Sequence, residues 1–390
     1  MKEYRHIGDI CTIKGRIGFR GYTRDDLVGP GEGAITLSPS NIIDDKLNLD
    51  KCSYISWFKY EESPEIMIYE GDIIFAKTAS IGKVALIEHL PEKATINPQF
   101  IVLKDIKCNN HYLYYSLRSR SLKQQVKVIT NGVAIPTLSQ ANFAKLTIPY
   151  PSLSEQEHIV AELDLLSDII EKKKAQLKEL DNLAQSIFYD MFGDPITNEK
   201  GWVIKTMGDV GTFQRGSGLT KKDLTESGFP CILYGQLHTR FDAFTERHLT
   251  CIPEELVRTA KIANTGNVIM ALTSEDVEGS CKSTAWLGDY DIAVGSDAAI
   301  YRHSLNGIYV SYYTRTKAFF NEKAKYANGF KVTHISTKEI ATIPIPVPPI
   351  KIQNDFADRI IEIEHQKTAI KKSIEEVQTL FDSRMDYYFN

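Results

Sequence analysis

Six cysteines in 390 residues form no Cys-x-x-Cys pair, and the nine histidines supply no zinc-like companion spacing. A structural metal is therefore not expected, and scattered thiols of this kind suit a reduced, cytosolic chain. No apolar run approaches the roughly 20 residues that a membrane span requires. Met1–Arg5 leads straight into folded-looking sequence, so the expectation is a cytoplasmic protein with no membrane contact. Positive charge is not in excess either. A net charge of -4 argues against a general polyanion binder. Any nucleic-acid contact must then rest on local basic loops, or on partner subunits that supply phosphate contacts.

Signatures of catalysis are missing as well. There is no Walker lysine motif and no Gly-x-Ser-x-Gly elbow. Asn97-Pro98-Gln99-Phe100 comes near the Asn-Pro-Pro-Phe/Tyr loop of adenine-N6 methyltransferases. Gln99 stands where the second proline belongs, however, and no strand with a glycine-rich cofactor loop precedes it. Gly29-Pro30-Gly31-Glu32-Gly33 lacks the helix that a dinucleotide loop must feed, so it reads as a turn. The spacing of Asp72, Glu88 and Glu92 arises easily by chance and does not define a nuclease site. No catalytic residue, metal ligand or cofactor is assigned to this chain.

What the chain does have is a repeat. Ile7-Gly8-Asp9-Ile10 recurs 200 residues later as Met207-Gly208-Asp209-Val210. Asn131-Gly132 recurs 197 residues on as Asn328-Gly329, and Pro149-Tyr150-Pro151 as Pro346-Val347-Pro348. A period near half the chain is a duplication, not a solenoid. In the first copy Ile73–Ala76 reads as a strand entered through a turn at Gly71-Asp72, with Lys83–Ile87 and Asn97–Leu103 as neighbours. Helical spacing runs over 112–128 and again over 309–326. Each copy is thus a mixed α+β lobe.

A long helix follows each lobe. Apolar residues at Ile159, Leu163, Leu166, Ile170, Leu177 and Leu180 step by fours and threes, with Lys173 in the slot the series skips. Phe356, Ile360, Ile363, Ile370, Ile374 and Val377 do the same, with Lys367 and Arg384 in skipped slots. Both copies share one heptad register at the 197-residue offset, which is the signature of helices that pair. Ser154 with Glu157 offers a capping box for the first helix, and Gly193 with Pro195 ends it. About 35 residues of helix, roughly 50 Å, are expected in each. An antiparallel pair suits a duplicated chain with pseudo-twofold symmetry.

Candidate DNA contacts cluster in loops. In the first lobe they are Lys14, Arg16, Arg20, Tyr22 and Arg24, interleaved with glycines, then Lys77, Thr78, Ser80 and Lys83, and Asn131. Glycine admits close approach to a phosphate, and arginine can take a guanine edge with two hydrogen bonds. Arg118, Arg120, Lys123 and Lys127 form a further acid-free cluster, matched in the second lobe by Arg315, Lys317, Lys323, Lys325 and Lys331. The second lobe's candidates are Arg215, Ser217, Tyr234, Gln236, His238, Arg240, Thr273, Ser274, Lys282, Lys325, Asn328 and Lys331. Its counterpart of the 77–83 loop, Thr273–Gly279, is acidic, so the two lobes should read different sequences.

These features together resemble the specificity subunits of type I restriction-modification systems. The resemblance rests on the two lobe starts, on Glu70–Ala76 with Ile81–Ala85, on Ile148-Pro149-Tyr150-Pro151 with Gln156 and its repeat Ile345-Pro346-Val347-Pro348 with Gln353, and on the helix end Phe188–Gly193. It implies an α+β fold with two target-recognition domains, 1–153 and 196–349, separated by antiparallel coiled-coil helices at 154–195 and 350–390. It further implies that each domain reads one half of a bipartite, asymmetric DNA site, while the helices set the spacer and dock two methyltransferase subunits. S-adenosylmethionine, ATP and Mg2+ would belong to those subunits and to motor-nuclease subunits. A fused or type IIB-like methyltransferase/nuclease component, and a coiled-coil scaffold that binds no DNA, are the competing readings.

Overall fold

The computed structural model describes residues 3–130, 137–326 and 333–390. Packing divides the chain into two units, Met1–Lys174 with Lys372–Asn390, and Ala175–Lys371. The long helices are therefore shared: each unit contains a stretch of both.

In the first unit, strands β1 (Thr12–Lys14), β2 (Ile73–Ala76), β3 (Val84–Leu86) and β4 (Phe100–Lys104) form an antiparallel sheet in the order β3-β2-β4-β1. The continuous apolar run of β2 follows from burial of both its faces. Ile73 and Phe75 point into the core shared with the helices, while Ile74 and Ala76 point into a second core beneath a five-stranded sheet. Helices α1 (Asn110–Arg118) and α2 (Arg120–Thr130) cover the first face. The sequence predicts one helix here, but Ser119 interrupts it. Its extended backbone ends α1, and its hydroxyl accepts the Leu122 N–H at the start of α2.

Helix α3 (Leu153–Phe192) follows. The second unit repeats these four strands as β5 (Gly211–Arg215), β6 (Val268–Ala271), β7 (Ser283–Trp286) and β8 (Ala298–His303), in the matching order β7-β6-β8-β5, and adds a short fifth strand, Phe244–Thr245, parallel to β7 at the edge. Helices α4 (Gly307–Tyr313) and α5 (Lys317–Ala324) break at Thr316 as α1 and α2 break at Ser119. Helix α6 (Ile350–Phe389) closes the chain.

The repeated sequence motifs are repeated contacts. A Cβ on Gly8 would meet the Cβ of Ala144 at 3.0 Å, and one on Gly208 the carbonyl of Ala341 at 3.1 Å. Glycine recurs because two short helical turns touch there. Gln156 accepts the Asn109 N–H and donates to Pro151 O, and Gln353 treats Asn306 and Pro348 identically. The Tyr112 hydroxyl donates to Pro149 O and that of Tyr309 to Pro346 O, each at 2.8 Å.

Two expectations for the helices need correction. Each long helix has 40 residues, not about 35. The first begins at Leu153 because Ser152, not Ser154, caps it: Ser152 Oγ accepts the Glu155 N–H and Glu155 Oε2 accepts the Ser152 N–H. Both serines stand three residues before a glutamate, and the one nearer Pro151 takes the role.

Within the second unit the helices run antiparallel, since Asp181 meets Lys367 and, further along α3, Phe192 meets Phe356 at 5.2 Å. Phe356, Ile360 and Ile363 are buried there, with Leu180 packed against them. In the first unit Ile159, Leu163, Leu166 and Ile170 share a core with Phe381, Met385 and Phe389, against which Ile374 and Val377 pack. Leu177 and Ile370 are half-buried. The stripes serve a double purpose: the same core holds Tyr112 and Tyr115 of the lobe, so each stripe faces both the sister helix and a sheet-bearing lobe.

Candidate nucleic-acid interface

Each unit carries a loop that joins the two strands of a hairpin, β2 to β3 in the first and β6 to β7 in the second. In the first unit it is residues 77–83, between β2 and β3. Thr78 Oγ1 lies 3.2 Å from Thr137 Oγ1, Ala79 adopts φ 61° and Gly82 φ 96°, so the turn is tight. Lys77 is half-buried, and desolvation pulls its ammonium below the ordinary lysine range. Beside this loop lies a groove of about 540 Å³, lined by Phe75, Ala79, Ile81, Leu122, Lys123 and Lys127. Lys123 and Lys127 thus approach the loop from α2.

Several basic residues expected at DNA are spent on the protein itself. Arg16 is 6% exposed, and its guanidinium donates to Ile96 O, Arg20 O and Thr95 Oγ1, each at 3.3 Å. It braces the glycine-rich segment from inside, with Tyr22 beneath it and the Tyr22 hydroxyl accepting from Thr36. The Lys83 ammonium donates to Pro39 O and Ile42 O, both at 3.0 Å. Arg20 pairs with Glu65 at 3.5 Å, Arg118 with Asp45 at 3.1 Å. Lys14 and Arg24 are exposed, and Ser80 is half-buried on the loop.

In the second unit the corresponding loop spans residues 272–282, eleven residues against seven. It forms one wall of a cleft of about 1570 Å³. Seven of the sequence candidates converge there: Tyr234, Gln236, His238, Arg240, Thr273, Ser274 and Lys282. They come from the Tyr234–Thr239 helix and from the loop. His238 Nε2 lies 3.0 Å from Thr273 O, and Lys282 Nζ donates to His238 O at 2.9 Å, so the two walls are bonded. Lys282 thereby repeats the bracing role of Lys83. Gln236 caps its helix by accepting the Leu233 N–H and donates to Thr250 Oγ1. Arg215 reaches Ser296 O and Asp297 at the cleft margin, and the Ser217 hydroxyl donates to Val294 O.

Lys325 sits apart, paired with Glu322 at 2.6 Å. Asn131, Asn328 and Lys331 lie outside the described residues. Lys323 and Arg315, grouped with the basic clusters by sequence, turn to the protein: Lys323 holds Glu278 O and Ser280 O, and Arg315 holds Ser311 and Ser283. Lys221 and Thr250 also line the cleft and were not singled out by sequence. Neither carries a motif, and only the fold brings them near 273–282.

Charge is distributed with a bias that the total hides. Residues 154–195 and 350–390 hold eighteen acidic and ten basic side chains, whereas the two lobes hold thirty-six basic and thirty-two acidic. The negative balance belongs to the helices, and the lobes taken whole carry a small positive one, while the cleft of the second unit sets Lys221, Arg240 and Lys282 against Glu275, Asp276, Glu278 and Asp297.

A duplicated α+β unit, with a groove beside the hairpin loop in one copy and a cleft in the other, and with two long helices shared by both, is an architecture of DNA-specificity proteins. Residues 2–181 and 199–379 each match the family described as the type I restriction modification DNA specificity domain, and the chain belongs to that family. Over 172 residues it is 31% identical to the type I restriction enzyme MjaIX specificity subunit of Methanocaldococcus jannaschii, which covers 40% of this chain and 39% of that protein. The putative type I restriction enzyme MjaX specificity subunit of the same organism is 22% identical across 96% of this chain and 90% of its own. The crystal structure of the type I restriction-modification S subunit from M. genitalium shares the fold, with a TM-score of 0.56 at 14% identity over 100% of this chain and 96% of that one. Among the described residues no helix is long and apolar enough to cross a membrane.

Proposed function

We propose that this chain is the sequence-reading subunit of a type I restriction-modification complex, and that each unit reads one half of a bipartite, asymmetric double-stranded DNA site. The carrying observation is the pair of equivalent loops, 77–83 and 272–282, set on matching sheets but differing in length and charge. Equal placement with unequal chemistry is what a reader of two unlike half-sites requires. Methylation and cleavage lie with partners: two methyltransferase subunits that use S-adenosylmethionine, and motor-nuclease subunits that use ATP and Mg2+. The acidic helices set the spacer and dock the methyltransferase subunits.

The test is selection from randomised duplex DNA by the chain together with family methyltransferase subunits, at physiological salt. A two-part sequence with a fixed gap is the expected result. Exchanging residues 1–153 for another member's first lobe should change one half only; a change in both halves would defeat the reading. Adding one heptad to each helix should lengthen the gap by roughly three base pairs.

A further inference from the structure

The hairpin loop of the second unit is four residues longer than that of the first and carries Glu275, Asp276 and Glu278. A longer polar loop should be looser, yet this one is fastened from below. Lys323, on α5, is 4% exposed. Its ammonium donates to Glu278 O at 2.8 Å and to Ser280 O at 2.5 Å. Cys281, the next residue, is buried at φ 58°, a backbone region that a non-glycine side chain adopts only when its surroundings impose it. Ser280 Oγ donates to Val277 O, and the Asp276 carboxylate accepts the Gly279 N–H at 2.6 Å. Asp276 thus closes the turn internally.

The first unit shows that the fold does not demand this lysine. At the 197-residue offset the equivalent of Lys323 is Val126, an apolar residue lining the open groove beside the shorter loop. A buried lysine without a carboxylate in direct contact is costly, and burial pulls the Lys323 ammonium below the ordinary lysine range. Placing such a group under one loop and not its twin needs a reason local to that loop.

We propose that Lys323 is a positioning residue for the second unit's DNA-reading loop: from below, it fixes the backbone at Glu278 and Ser280 and so sets the loop's wall of the cleft against the base edges of one half-site. This rests on the reading of the clefts as DNA readers. Lys323 itself stays inside and touches no DNA. Its effect is geometric, because hydrogen bonds to base edges discriminate only when their donors and acceptors are held in place.

Lys323→Met and Lys323→Arg are compared with the unaltered chain, each in complex with methyltransferase subunits, by sequencing DNA selected from randomised duplexes. Lys323→Met should weaken base preference at one half-site by about tenfold, the range of a single lost base contact. Preference at the other half, and binding to non-specific DNA, should stay unchanged. Lys323→Arg, which keeps a buried cation with donors, should restore most of the lost preference. A merely structural lysine would lower overall occupancy while leaving the relative preferences of both halves intact, and that pattern would overturn the proposal. Should Lys323→Met fail to fold, Lys323→Gln, which keeps an N–H donor at the same buried position without the charge, makes the same test: a partial loss of preference at the one half-site is expected, and no loss there would overturn the proposal. If the unaltered chain selects no bipartite sequence, the DNA-reading assignment falls and this proposal with it. That outcome is distinct from a bipartite preference that Lys323→Met leaves untouched.

Discussion

Lys367 Nζ on α6 lies 2.7 Å from Asp181 Oδ1 on α3, and an equal 2.7 Å from Glu364 Oε1 on its own helix. Heptad arithmetic leaves this lysine in a slot where an apolar residue is expected. Burial works to lower its pKa, but the hydrogen bonds to Asp181 and Glu364 outweigh burial and hold it above the ordinary lysine value. In the first unit Arg384 fills a comparable slot, with Nη2 donating to Glu162 Oε2 at 2.9 Å and the Tyr388 hydroxyl sharing that carboxylate. These two cations are thus matched by acids from the opposite helix.

Lys367→Met should destabilise the second unit by about 2–3 kcal/mol, because it strands the half-buried Glu364 carboxylate. Asp181→Asn should cost under about 1 kcal/mol, since the Asp181 side chain is 61% exposed and well solvated. Urea denaturation followed by tryptophan emission reads this in a Trp57→Phe background, where only Trp202 and Trp286 of the second unit report. Equal costs for both substitutions would refute the assignment.

Gln156→Leu and Gln353→Leu should each cost about 1–3 kcal/mol, because each leaves a half-buried backbone N–H and a carbonyl without the glutamine. The two losses should be similar and fall on different units. Denaturation of each variant checks this, and a near-neutral result at either glutamine would contradict its bracing role.

The last turns of α6 belong to the first unit's core. Phe389 is 1% exposed, with its ring 5.2 Å from that of Tyr112. Phe389→Ala should destabilise the first unit by about 3–5 kcal/mol and leave the second unit unaltered. In a Trp202→Phe, Trp286→Phe background, where only Trp57 remains, tryptophan emission during urea unfolding reports the first unit. Loss confined to the second unit would be the wrong outcome.

His303 gives the second unit an acid sensitivity. Its Nδ1 lies 3.0 Å from Leu305 O, while Nε2 is buried without a partner. Burial brings its pKa down to about 4, against a smaller opposing effect of that hydrogen bond. The unfolded chain takes up a proton below about pH 6.5, and the folded one does not until about 4. Stability present at neutral pH is therefore lost as pH falls between those values, on the order of 3 kcal/mol in all. His303→Phe should flatten the second unit's unfolding free energy over that window. An unchanged slope would show that the imidazole is not the group responsible.

Much of the architecture is legible from pattern alone. Strand β2 announces itself by a run of four apolar residues behind Gly71-Asp72, and the seam by two stripes in one register. The break at Ser119 is less visible, because serine is tolerated inside helices and only its extended backbone shows that it caps the next one. Tyr234, Gln236, His238, Arg240, Thr273 and Ser274, picked out singly in the sequence, come together in one cleft only in the fold. Arg16, Lys83, Lys282 and Lys323 look like DNA ligands by composition, yet they turn to the protein's own carbonyls.

Duplication, the mixed α+β lobes and the pairing register of the helices all follow from local order, because periodicity states which face of an element is apolar. Where the long cations point is settled by the closed fold. A lysine or arginine head lies several bonds from its backbone, and backbone carbonyls distant in sequence, such as Pro39 for Lys83 or Glu278 for Lys323, are acceptors that every residue type offers equally. Nothing in local order marks them. Their positions are set when sheets and helices close, and that closure separates the cations that brace a loop from those left free in a cleft.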